Sequence, residues 1–237
     1  MPAIAHLVGL SATGFRIGAH AGHPLVGWAQ GGVVTGLAHG VAGPVAALSM
    51  ALPRLPSPAD AGIPLYRLAS WLADQRFTDS RGVVSWPGRV PAPASEGEVR
   101  RQGWCYGTPG VAWALWTAGD ALVRSGHTDG EELCAVAVEA MRTLCTAYDP
   151  DHYLDHDPLA VCHGAAGVLL VADAFARHTG SPAAAALCDG LVSYLTDRLD
   201  EITTLDATLL SGAAGVLAAL LTAAGGSRGW LPCLALY

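Results

Sequence analysis

Gly103-Trp104-Cys105-Tyr106-Gly107-Thr108-Pro109-Gly110 is the stretch on which the reading of this chain turns. Two glycines three residues apart open an apolar run over 111–124. Glycine permits a sharp turn and a close backbone approach, and Pro109 suits a first helical turn, where its missing N–H costs nothing. Cys105 sits two positions before the first of these glycines. The stretch therefore predicts the mouth of an apolar helix with a soft metal ligand at its rim.

The same unit recurs on either side. Gly36-Leu37-Ala38-His39-Gly40-Val41-Ala42-Gly43 precedes it, and Val161-Cys162-His163-Gly164-Ala165-Ala166-Gly167 and Ser211-Gly212-Ala213-Ala214-Gly215 follow it. The leading glycines are Gly40, Gly107, Gly164 and Gly212, separated by 67, 57 and 48 residues. Apolar helices are expected over 44–52, 111–124, 164–178 and 211–224. Each is followed by a break, and amphipathic helices are expected over 64–76, 131–147 and 183–199, with Leu65, Leu68, Ala69 and Leu72 sharing one face of the first. Repetition of one helical unit with a loose period marks a repeat array. The more apolar helix of each pair belongs inside and the amphipathic one outside, so the fold class is all-α, an α/α toroid or α-solenoid. Nothing alternates with period two, which argues against a large sheet.

Residues 1–35 are poorly patterned beyond a short apolar helix over 1–10, and 11–30 reads as loop. The repeat domain runs from 36 to 237. Long loops are expected over 77–100 and 148–158, and the apolar tail 230–237 as a short strand or extended cap.

Composition narrows the function classes. The chain has 237 residues, 51% hydrophobic and 14% charged, with a net charge of -7. Without a Lys/Arg cluster a nucleic-acid partner is not expected. Residues 17–53 carry no Asp, Glu, Lys or Arg and are long enough to cross a bilayer. They also hold eight glycines, poor material for one helix, so no membrane span is expected. The N-terminus shows no secretory pattern, and a chain of this size folds without disulfides. The six cysteines are therefore expected as reduced thiols in a cytoplasmic protein.

If the inner helices run parallel, their mouths surround one cavity. His39, Cys105, Cys162-His163 and Ser211 would then meet there. Cys105, Cys162 and His163 supply two thiols and an imidazole, a set that suits zinc with a fourth position open. Cys134, Cys145, Cys188 and Cys233 read as core thiols. His152, Asp155, His156 and Asp157 resemble a second metal cluster, but an exposed polar loop is the expected reading.

Trp104 to Gly110, Cys162 to Gly167 and Ala38 to Gly43 resemble the signature motifs of the lanthionine synthetase C-like cyclases, and the likeness runs from about Gly36 to the terminus. It implies an α/α toroid around a zinc ion (Zn2+) held by Cys105, Cys162 and His163. It implies a dehydrated precursor peptide as substrate, whose cysteine thiolate adds to dehydroalanine or dehydrobutyrine. It makes His39 the acid or base, with Tyr106 and Arg101 as active-site partners. Each also has a plainer reading: His39 as a structural histidine, Tyr106 as a packing residue, Arg101 as half of a solvated pair with Arg100.

The family's full ring holds about seven helix pairs by its repeat logic. Four units are legible here, a partial ring shortened at its N-terminal side. An acidic residue that the family uses near the histidine has no counterpart. A dehydratase, or a second chain supplying the missing repeats, is the implied partner. Two other functions compete. One is a catalytically incomplete zinc-, peptide- or thiol-binding protein that needs a second chain. The other is a different zinc-thiolate enzyme of toroid type, which would use a carboxylate ligand that no helix mouth supplies.

Overall fold

The computed structural model describes residues 2–12, 32–55, 59–91, 101–154 and 156–237. Of the loop expected over 11–30, Ser11 and Ala12 are helical and 13–30 lie outside these residues, as do 92–100 of the 77–100 loop and Asp155.

The main helices are α1 (Pro2–Ala12), α2 (Ala42–Ala51), α3 (Ala59–Asp74), α4 (Thr108–Arg124), α5 (Gly130–Ala147), α6 (Pro150–Tyr153), α7 (Ala165–Thr179), α8 (Pro182–Thr196), α9 (Leu199–Ile202) and α10 (Ala213–Ala223). Helices α2, α4, α7 and α10 pack side by side in chain order as an inner row, and α3, α5 and α8 form the outer row. The result is an arc of an all-α toroid. Burial follows the expected division: every residue from Thr108 to Gly119 in α4 and from Ala165 to Phe175 in α7 is buried. In α5 only one stripe is buried, including Leu133, Ala137, Met141 and Leu144.

One contact, repeated four times, builds the mouths. The second glycine of each unit lies against the carbonyl six residues before it. A Cβ on Gly43 would stand 2.7 Å from the Leu37 oxygen. On Gly110, Gly167 or Gly215 it would overlap the carbonyl oxygen of Trp104, Val161 or Leu209. The same bare surface receives the preceding unit. Added Cβ atoms on Gly110, Gly167 and Gly215 would lie 3.2, 3.0 and 2.9 Å from the side chains of Leu37, Trp104 and Val161.

A line of backbone hydrogen bonds then laces the mouths. Leu37 N–H donates to the Cys105 carbonyl (2.9 Å), Cys105 N–H to Cys162 (3.3 Å) and Cys162 N–H to Leu210 (2.9 Å). Helices joined this way at one end run parallel.

Local signals set the helix ends. Ser181 caps α8 by accepting from Ala184 N–H, with Pro182 in the first turn. Gly180 closes α7 in the left-handed conformation.

Four expectations shift. Helix α3 begins at Ala59, so Pro64 is interior. Its buried stripe Leu65, Leu68, Ala69 and Leu72 extends one turn back to Ala61, and that burial carries the helix across the proline. The loop after α3 holds short antiparallel ladders: β2 (Phe77–Thr78) pairs with β3 (Val84–Ser85), and β4 (Arg89–Val90) pairs with β1 (Val33–Val34). These strands are too short for a period-two pattern to be seen. Tyr153 in the 148–158 loop is buried on α6.

The fourth unit, among the described residues, has no outer helix. After Gly226 the chain turns back, and the tail forms a 3-10 turn at Leu231–Leu234 instead of a strand. Trp104 Nε1 donates to the Leu234 carbonyl and Trp113 Nε1 to Ala235, each at 2.8 Å. Leu231, Leu234 and Leu236 are buried against the inner row. Asp173 on α7 anchors the turn by pairing with Arg177 and Arg228. Indole N–H groups need acceptors when buried, and the 3-10 turn frees carbonyls that a strand would pair elsewhere.

The mouth glycines predict a sharp contrast in equilibrium urea unfolding. Gly110→Ala and Gly167→Ala each destabilise by about 3 kcal/mol or more, because rigid backbone must move. Gly190→Ala on α8, where an added Cβ meets nothing within 4 Å, stabilises by up to about 1 kcal/mol.

Candidate metal centre

Counting back from the first glycine of each unit explains the site. The residues one position before it are His39, Tyr106, His163 and Ser211. Those two positions before it are Ala38, Cys105, Cys162 and Leu210. The hydrogen-bond line sets these pairs next to one another across neighbouring units. Ligand atoms of Cys105, Cys162 and His163 consequently fall within 4.8 Å of one another, the one group of three or more such residues among those described. Cys105 is buried, while Cys162 and His163 are half-buried. Cys162 Sγ lies 3.9 Å from His163 Nε2. Two thiols and an imidazole at this spacing can hold a metal ion, and they suit a soft or borderline one.

The second unit departs from the pattern at Gly107, which adopts φ 81° where Gly164 and Gly212 are extended. In the other three units the residue after the first glycine donates its N–H to the carbonyl seven positions earlier: Val41 to Val34, Ala165 to Pro158, Ala213 to Asp206. In the second, Thr108 N–H donates instead to Gln102 Oε1 at 2.7 Å. The fully buried Gln102 is held by Ser85 Oγ of β3, and Thr108 Oγ1 donates to the Val84 carbonyl. The β2–β3 ladder thus fixes the backbone that carries Arg101. Gln102 gives no signal in the sequence, where it is one polar residue beside two arginines.

The Cys105 thiol donates to the Cys162 sulfur, which pushes Cys105 far up, helped by burial, and holds Cys162 below its ordinary value. Arg101 acts downward on both, weakly against the pairing. His163 is held below the usual imidazole range, first by burial and then by the Arg101 charge. A thiolate and a neutral imidazole are the protonation states a metal requires.

Arg101 is exposed, yet its field reaches both thiols, His163 and Tyr106. Tyr106 is half-buried, its hydroxyl pushed up by burial and by Cys105. Its ring passes so close to Gly36 that a Cβ there would come within 2.9 Å of it. His39 is exposed at the first mouth and acts on His163. The six residues named from the sequence thus lie at three adjoining mouths, with Arg101 and His39 both acting on His163.

Two neighbours come from the polar loop whose residues resemble a second metal cluster. His156 and Asp157 are exposed, as expected, but both act electrostatically on His163, and Asp157 also acts on Cys162. His152 packs edge-on against Tyr153, ring centroids 4.7 Å apart. Ser211 bonds Thr208 at 2.8 Å. Burial pushes the outer-row thiols up, Cys134 to about 11 and Cys145 and Cys188 to about 12, as fits packing roles, whereas Cys233, expected in the core, is exposed. The described residues contain no helix long and apolar enough to cross a membrane.

A toroidal array of helix pairs with a thiol–imidazole cluster at its inner mouths defines a helical-repeat protein with a candidate metal centre. The family model for lanthionine synthetase C-like proteins matches residues 19–233, and the chain belongs to that family. Among solved structures, nisin cyclase superposes with a TM-score of 0.69 at 18% identity, covering 88% of this chain and 51% of that one. The chain therefore spans about half the length of that relative. No curated protein matches it in sequence.

Gln102→Ala leaves Thr108 N–H buried without an acceptor. Its unfolding free energy in urea is expected to fall by about 2 kcal/mol, a large loss for a residue with no obvious role in the sequence.

Proposed function

We propose that this chain is a lanthipeptide cyclase, forming lanthionine thioether rings in a dehydrated precursor peptide in the cytoplasm. The observation that carries the reading is the convergence of Cys105, Cys162 and His163 to within 4.8 Å at adjoining mouths. The donor set fits zinc, with these three residues as protein ligands and a fourth position for substrate. Bound zinc supplies Lewis acidity that keeps a substrate thiol deprotonated at neutral pH.

The chain's own residues serve the rest of the reaction. The substrate sulfur bonds to the β-carbon of dehydroalanine or dehydrobutyrine, and the double-bond electrons move toward the adjoining carbonyl as an enolate. Arg101 supplies the positive charge that stabilises this oxyanion. His39 delivers the proton to the α-carbon, since imidazole exchanges protons near neutral pH. Tyr106 orients the peptide beside Cys105 and is a second hydrogen-bond donor. A dehydratase acting earlier on Ser and Thr is the implied upstream partner.

A second reading is favoured by the 51% coverage of the solved relative. In it the chain holds zinc and peptide but turns over only when another chain completes the ring.

Metal analysis of the purified chain is expected to give one zinc per chain. Cys105→Ala and Cys162→Ala should weaken zinc binding by more than about 100-fold with the fold retained by circular dichroism. His39→Ala should keep zinc but slow ring closure on a dehydrated peptide by about 10²–10⁴-fold, followed by mass spectrometry with thiol alkylation. Full activity in zinc-free protein would overturn the cyclase reading. Zinc and peptide binding without turnover by the isolated chain would establish the second.

A further inference from the structure

Asp157 is held in place by its backbone, yet its side chain has no structural partner. It is one of two non-glycine residues with positive φ among those described, at 53°. Its carbonyl accepts from Ala160 N–H at 3.0 Å, and a Cβ added to Gly164 would stand 2.5 Å from that oxygen. This close approach pins Asp157 beside the residue that follows His163. Its carboxylate is exposed and, among the described residues, takes no hydrogen bond or ion pair. Left-handed backbone suits aspartate and asparagine alike, so the turn accounts for a short polar side chain and not for a charge.

The neighbouring mouths sharpen the contrast. Asp206 at the fourth mouth is also exposed, but its Oδ1 accepts from the Thr208 N–H at 3.0 Å and the Thr208 hydroxyl at 2.6 Å, closing its own turn. Among the described residues, Asp157 is the one carboxylate whose charge reaches both Cys162 and His163. Arg101 on the second mouth reaches the same two residues with the opposite sign, and is likewise exposed and unpaired among the described residues. The rim of the cluster thus carries an unengaged cation on one side and an unengaged carboxylate on the other.

We infer that Asp157 selects precursor peptides with a cationic side chain next to the reacting cysteine, holding that side chain over the third mouth. The inference rests on peptide binding at this cluster, as proposed above, and not on turnover. Consecutive Cα atoms stand about 3.8 Å apart, so the residue flanking a cysteine seated at the cluster falls within reach of the rim charges. A lysine there brings its ammonium to Asp157 on a flexible stem, whereas a glutamate is repelled. An exposed pair of this kind adds little affinity but discriminates between partners.

The test uses the full chain with zinc added and fluorescein-labelled dehydrated peptides, each with one cysteine and one dehydroalanine. Lys, Gln or Glu is placed on either flank of the cysteine, and binding is read by fluorescence anisotropy at low salt. On one flank Lys should bind about two- to fivefold tighter than Gln, with Glu weaker than Gln. Raising the salt to about 0.5 M should flatten that order. Asp157→Asn, which the turn tolerates, should flatten it at low salt with thermal melting unchanged. Asp206→Asn makes the same charge change one mouth away and should leave the order intact. The inference is overturned by a parent chain that shows no preference for Lys at either flank or binds no peptide. A preference that survives Asp157→Asn, or is lost equally in Asp206→Asn, also overturns it. Ring closure, followed separately by mass spectrometry, keeps the two proposals apart. A charge order without ring closure leaves this inference standing while the cyclase reading falls, and ring closure without a charge order does the reverse.

Discussion

A carbonyl oxygen resting where a side chain would otherwise stand holds this architecture together. Because Gly43, Gly110, Gly167 and Gly215 carry no Cβ, each mouth loop folds flat onto its own helix. The surface left bare then receives a residue from the unit before. The close approach brings neighbouring mouths within hydrogen-bond reach, and the line from Leu37 to Leu210 forms across them. The thiol–imidazole cluster is a consequence of that line. Cys105 and Cys162 are bonded backbone to backbone, so their sulfurs meet although 57 residues separate them in sequence.

Much of this was legible before any coordinates. The glycine pairs located the four inner helices, and their rims named His39, Cys105, Cys162, His163 and Ser211, while Tyr106 and Arg101 entered only through the family resemblance. Inner helices were easy to read because burial on every side leaves an unbroken apolar run. Three kinds of feature were not legible. The β2–β3 ladder is two residues long on each side, below the length at which alternation becomes visible. Gln102 matters through one bond to Thr108 and one to Ser85, and no local pattern reports a partner so far along the chain. The tail's form depends on Trp104 and Trp113 needing acceptors, more than 100 residues away. His156 and Asp157 read as solvent-facing loop and are exposed, yet the turn they occupy brings their charges to bear on His163.

The electrostatics of the cluster follow from the same crowding. Two sulfurs held together in partly dry surroundings cannot both carry charge cheaply, so one keeps its proton and donates it to the other. Arg101 stands at the rim and favours charge on both. A cation bound here would displace protons from the thiols, and the rigid mouth would spare the ligands from being gathered at that moment.

The spacing of the first glycines shrinks from 67 to 57 to 48 residues while the lock around each stays the same six residues wide. The variation in length falls outside that lock, in the helices and the loops that join them. The arc behaves as a hub of fixed circumference with a rim of elastic size. Insertions at the rim would alter what surrounds the cavity without moving the thiols and imidazole at the hub, so the outer surface can change shape while the cluster stands still.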